Sequence, residues 1–104
     1  MNTEQLNDII LNNEKRFVIL KFTSYDCSIC KNINLNFLNQ YDVHVINIEI
    51  HNNPTLYKYF KRYKAVYAFP TFIIYDKENL NEQLYAPNHI VVGLNYNLIK
   101  NYII

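Results

Sequence analysis

The sequence has one glycine, no tryptophan, three prolines and two cysteines in 104 residues. Nowhere do about eighteen apolar residues follow one another, which excludes a membrane-spanning helix, and no membrane association is expected. Ten basic residues against nine acidic ones leave a formal charge of +1. That is too little for the long-range field that draws proteins to nucleic acid, so no nucleic-acid partner is expected. The opening MNTEQLNDIILNNEKR has no basic start, no apolar stretch of signal-peptide length and no small-residue cleavage site. The expected location is therefore the cytoplasm. Two cysteines with His44, His51 and His89, none at a paired spacing, fall short of a four-ligand zinc site, and no metal is expected. The scarcity of glycine and tryptophan beside abundant asparagine, isoleucine, tyrosine and lysine fits an AT-rich coding sequence and carries no chemistry.

Half of the residues are hydrophobic and 18% are charged, enough apolar surface to offset the conformational entropy of one globular core. With no repeat and no linker, residues 1–104 are expected to form one domain. Leu6, Ile9 and Ile10 recur at helical spacing after a candidate cap at Thr3, which predicts a helix over about residues 3–12. The run FVILKF at 17–22 suits a central strand covered on both faces, interrupted only by Lys21. After the bend TSYD, the residues Cys27, Cys30, Ile33, Phe37 and Leu38 share one face of a helix that would start at the first cysteine. DVHVINIEI then reads as a second strand, completing a crossover unit.

Asn53-Pro54 opens a further helix through LYKYFKRYK, with proline where no amide donor is lost. Lys58, Lys61, Arg62 and Lys64 make it basic: a solvated helix face on the plainer reading, a surface for an acidic partner on the other. Thr71–Tyr75 is expected as a strand entered through Pro70, followed by a turn at DKEN and another hairpin strand between Leu80 and Val92. Leu94, Leu98, Ile99 and Ile103 form the stripe of a closing helix.

The chemistry lies in CSIC, Cys27 to Cys30. The same spacing serves zinc sites and inert buried thiols, but here it follows a buried strand and opens a helix, the context of redox chemistry. Thiolate rather than thiol attacks a disulfide, and the unpaired amides of a helix start favour negative sulfur, which makes Cys27 the nucleophile. Cys30, one turn on, is placed to resolve the mixed disulfide.

FTSYDCSICK resembles the active-site segment of the thioredoxin family: an aromatic strand end, a bend, CxxC, then lysine at Lys31. INIEIHNNP resembles the family's strand ending and Asn-Pro helix start, FPT at Phe69 to Thr71 resembles its cis-proline segment, and Val92-Gly93 resembles the Val-Gly step before its last helix. The resemblance covers about residues 3–104 and implies an α/β thioredoxin-like fold, with a central mixed sheet of about four strands flanked by helices. It implies a thiol-disulfide oxidoreductase without a bound cofactor, its redox-active group being the Cys27-Cys30 pair. The expected partners are disulfide-containing proteins and a recycling reductase like thioredoxin reductase, with the chain acting as a monomer. Asp26, Ser28, Ile29, Phe69, Pro70 and Gly93 are the implied substrate contacts.

The sequence also departs from the family. Ser28-Ile29 replaces Gly-Pro between the cysteines, and Asp26 stands where thioredoxins carry tryptophan, bringing a like charge beside a thiolate. Lys21 occupies the position of a buried acid, and Val45 is matched to the neighbouring lysine position. Lys21 is expected either to stabilise thiolate or to shuttle protons, against the plainer reading of a lysine snorkelling to solvent. The first family strand is missing, and extra turns are expected around residues 77–89. Two other functions compete with turnover of protein disulfides. One is a binding module on the same scaffold. The other is a glutaredoxin-like, glutathione-linked enzyme, which lacks support because no Gly-Gly turn precedes the last helix.

Overall fold

The computed structural model describes residues 1–80 and 86–104. Strands β1 (Phe17–Thr23), β2 (Val43–Glu49), β3 (Thr71–Asp76) and β4 (His89–Val92) form one mixed sheet in the order β2-β1-β3-β4. β1 runs parallel to β2 and antiparallel to β3, and β4 closes the other edge antiparallel to β3. Helices α1 (Thr3–Asn12), α2 (Pro54–Arg62) and α3 (Tyr96–Ile103) complete the regular structure of the described residues, with short 3₁₀ turns between. The expected hairpin strand is β4; of the extra turns expected around 77–89, a 3₁₀ turn lies at Lys77–Asn79 and residues 81–85 fall outside the described residues.

The unbroken apolar run of β1 has a direct cause. Val18, Leu20 and Phe22 point to one face of the sheet, where α1 packs through Leu6 and Ile10 and α2 through Leu56 and Phe60. Phe17 and Ile19 point to the other, against Leu38, Ile99 and Ile103. A strand with helices on both faces needs apolar side chains at both parities. Lys21 and Thr23 fall on the second face near the end of β1, where that core gives out and both residues become partly exposed.

Three local expectations need correction. The N-cap of α1 is Asn2, not Thr3: its side chain accepts from the Gln5 amide at 2.8 Å while the Gln5 side chain accepts from the Asn2 amide at 2.9 Å, a reciprocal capping box. The helix expected from Cys27 is replaced by two 3₁₀ turns, Ile29–Asn32 and Asn36–Gln40, with Ile33 extended between them. Asparagine accounts for the break. Asn34 Oδ1 takes the Asn36 amide at 3.0 Å, and the Asn34 amide itself goes to Tyr96 Oη at 3.1 Å, so side chains capture groups a helix would use. The apolar residues of the segment still reach the core, Leu38 fully and Ile33 and Phe37 in part. Leu94 lies before α3 and is exposed, which leaves Ile99 and Ile103 as the buried stripe.

At the far end of the sheet from the cysteines, Arg16 Nε and Nη2 each donate to Asp76 at 3.1 Å, and the Glu78 amide and Asn79 side chain donate to the same carboxylate. The Arg16 side chain is the main cause that holds the Asp76 carboxyl below its ordinary value, against the opposing effect of burial. Asp76→Ala is expected to cost about 2 kcal/mol in urea unfolding, since hydrogen bonds to a charged group are at stake. The native pKa lies below the unfolded one. The wild type therefore keeps this contribution above about pH 4 and loses it as the pH falls through the native value, a slope that Asp76→Ala removes.

Candidate active site

β1 ends at Thr23 and the chain turns at once. Ser24 organises the turn, its carbonyl accepting from the Cys27 amide at 3.0 Å and its hydroxyl from the Asp26 amide at 3.3 Å. Cys27 and Cys30 are joined in a disulfide with their Cα atoms 5.3 Å apart. The Cys30 amide donates to the Cys27 carbonyl at 3.2 Å, a single tight turn. Because the following segment is 3₁₀ and only four residues long, the sulfurs do not sit at the start of a long α-helix. The summed helix field invoked from the sequence is therefore largely absent.

Each cysteine opens onto its own concavity. Cys27 lines a groove of about 530 Å³ with Ser24, Asp26, Ser28, Ile29 and Phe69. Cys30 lines a polar pocket of about 580 Å³ with Lys21, Thr23, Ser24, Tyr25, Lys31, Asn47, Glu49, Asn52 and Asn53. Among the candidate substrate contacts, Asp26, Ser28, Ile29 and Phe69 thus converge on the groove that Cys27 lines, although Phe69 is forty-two positions downstream of Cys27 in sequence. Pro70 is buried behind Phe69 and does not line the groove; the Phe69-Pro70 peptide bond is cis. The Gly93 amide donates to the Pro70 carbonyl at 2.8 Å, and the Phe69 ring packs 5.8 Å from that of Tyr57 on α2. Pro70 and Gly93 therefore hold the groove wall from behind.

Lys21 lies beside Asn47 on β2, whereas Val45 pairs with Ile19. The strand neighbour of Lys21 is Asn47, two residues further along β2 than the position matched from sequence. The partly buried Lys21 faces the pocket shared with Cys30.

Sequence reasoning passed over the far wall of that pocket. The Tyr25 ring stacks on His51 with centroids 4.8 Å apart and planes 2° apart, and its hydroxyl donates to Asn52 Oδ1 at 3.0 Å. Glu49 Oε1 lies 2.7 Å from His51 Nδ1. Burial pushes the Glu49 carboxyl up, but the His51 side chain and amide outweigh it and leave it below the ordinary value. The only hint in sequence was the spacing of Glu49 and His51 across a strand end, a weak one, since His51 was weighed only as a metal ligand. Among the described residues no cluster of side chains could hold a metal ion.

The family model "Thioredoxin" matches residues 1–93. Of solved structures, Plasmodium falciparum thioredoxin is 30% identical, the match covering 96% of this chain and 78% of that one with a TM-score of 0.68. A mutant thioredoxin from Halobacterium salinarum is 20% identical, covering 99% and 83% at a TM-score of 0.73. Thioredoxin f from spinach chloroplast is 19% identical, covering 99% and 87% at 0.73; these last two speak to the fold. No curated protein matches the chain.

Gly93 has φ +84°, and no atom lies within 4 Å of where a Cβ would stand, so glycine serves the backbone angle rather than space. Gly93→Ala is expected to lower stability by about 1 kcal/mol in urea unfolding. Because it shifts the amide that holds Pro70, it should also loosen the groove wall at Phe69.

Proposed function

This chain belongs to the thioredoxin family, and from that premise we propose that it reduces disulfides in protein substrates through the Cys27-Cys30 pair. The observation that carries the reading is that Cys27 opens onto a groove walled by Phe69 while bonded to Cys30 behind it. In the dithiol form, Cys27 thiolate attacks one sulfur of a substrate disulfide, forms a mixed disulfide and releases the first substrate thiolate. Cys30 thiolate then attacks Cys27 Sγ, releases the second substrate thiolate and leaves Cys27-Cys30 oxidised. Two electrons pass to the substrate and none are stored elsewhere, so the cycle needs no cofactor within this chain. It does need an external dithiol reductase.

Ile29 and Phe69 supply the apolar surface of the groove, and their flanking backbone the polar contacts a substrate chain would use. A cytoplasmic setting, where thiols are kept reduced, favours the reducing direction. A monomer suffices, because every residue invoked comes from one chain.

The pair's redox transition in graded glutathione buffers checks the reading. We expect a two-electron transition, with Cys30→Ser accumulating a mixed disulfide with substrate and Cys27→Ser forming none. A potential near about −270 mV would mark a reductant of the thioredoxin kind. Failure to form the disulfide at any poise, or no reduction of insulin or a small disulfide by the dithiol form, overturns this reading in favour of a binding module on the same scaffold.

Lys21 is proposed to favour thiolate at Cys30 through its charge across their shared pocket. Lys21→Met should then raise the pH at which Cys30 thiolate absorbance appears in Cys27→Ser by about one unit. An unchanged titration assigns Lys21 to solvent.

A further inference from the structure

Four of the chain's ten basic residues fall at Lys58, Lys61, Arg62 and Lys64, and residues 50–75 contain no acid. Leu56 and Phe60 bury the inner face of α2, while the four cations are exposed. None of the four takes part in an ion pair among the described residues, whose ion pairs involve Lys15, Arg16 and His51 instead. A helix that only needed solubility would gain from acids interleaved at i+4, and this one has none.

The charge adjoins the groove. Lys61 Nζ sits 5.6 Å from the centre of the Tyr57 ring, Tyr57 packs against Phe69, and Phe69 lines the groove with Cys27. One aromatic side chain thus separates a cation from the groove wall, so at physiological salt its field acts on groups directly over α2 and only weakly within the groove. Residues that anchor interfaces lie at the end of α2 and just after it: Arg62 lies 5.8 Å from the Tyr63 ring centre, and Tyr67, two residues before Phe69 in sequence, is 73% exposed. Asp26, the one charged residue among the described residues that line the groove, has the opposite sign. Acidic residues are therefore disfavoured inside the groove and favoured beside it, over α2.

We propose that the exposed cations of α2 and of the turn that ends it, Lys58, Lys61, Arg62 and Lys64, form a docking surface for acidic side chains that flank the target disulfide of a partner protein. The inference rests on the oxidoreductase reading and names the class of substrate that site selects. The overall charge of +1 restricts the attraction to this face, which suits a local acidic segment better than a long polyanion.

The test is single-turnover reduction by the dithiol form of peptides that share one disulfide and differ only in a short flanking block of Glu, Gln or Lys, placed on either side. We expect the second-order rate constant for the Glu peptide to exceed that for the Gln peptide by roughly tenfold, with the Lys peptide slowest. The preference should hold for one flank only and fade at high salt. Replacing the four cations together by Gln, which keeps helix propensity at the three within α2, should collapse the Glu-to-Gln ratio toward one. Equal rates for the three peptides, or a ratio that survives the four substitutions, overturn the inference alone. Reduction of none of them, with a small neutral disulfide also untouched, overturns the oxidoreductase reading and this inference with it.

Discussion

The structure hangs on the burial of β1 from both sides. A strand that is apolar at both parities must have neighbours on each edge and helices on each face, and FVILKF obtains them: β2 and β3 on its edges, α1 and α2 on one face, Leu38 and α3 on the other. This arrangement fixes where the chemistry can be. Cys27 lies four residues past the end of β1, and a turn made by Ser24 carries it there, so the sulfur is held by a strand covered on both faces while lying outside the core. The cost of a partly buried lysine is confined to the last turn of the pleat, where polar surroundings begin.

The groove is a product of topology more than of any one motif. Its two walls come from the loop after β1 and the segment before β3, which are adjacent because β1 and β3 pair antiparallel. Thr71 opposite Phe22 sets the entry of β3 beside the exit of β1, and that brings Phe69 to Cys27. The same register aligns Thr71 with Val92, so Gly93 falls beside Pro70 and its amide closes the hydrogen bond. A sheet slip of one residue would turn every one of these contacts to the wrong face.

Where periodicity and burial agreed, the sequence was readable. α1, β1, α2 and β3 lie within a residue or two of the expected bounds, because each has a strong apolar pattern or a proline that marks an edge. The crossover was misread for the opposite reason. Ile33, Phe37 and Leu38 do point inward as a helix would require, but Asn32, Asn34, Asn36 and Asn39 offer the backbone local alternatives that a count of apolar spacings does not weigh. Cys27, Cys30 and the convergence of Phe69 on them were legible from a motif resemblance. The Tyr25, Glu49 and His51 cluster was not, since stacking and side-chain pairing at the ends of different strands leave no periodic trace. Val45 in place of Asn47 was a register error that only the paired strands resolve.

On the proposed function, the separation of the two sulfurs' surroundings gives the exchange an order. A substrate disulfide is bulky and must reach the first sulfur along a groove with Ile29 and Phe69 in its lining, which favours Cys27. The second attack is intramolecular and needs no access for substrate; it needs an ionised thiol and a route for its proton. Cys30 has both prerequisites close by, in a pocket that contains Lys21, Lys31 and Glu49 and is open to water. Charge near Cys27 is negative at Asp26, while Lys21 and Lys31 outnumber Glu49 in the pocket of Cys30. The resolving step is therefore the better supported by electrostatics, and a mixed disulfide at Cys27 should be short-lived relative to its formation. On the proposed function that ordering suits a reductant, which must release its substrate promptly, and it follows from the placement of Asp26, Lys21, Lys31 and Glu49 around the two sulfurs.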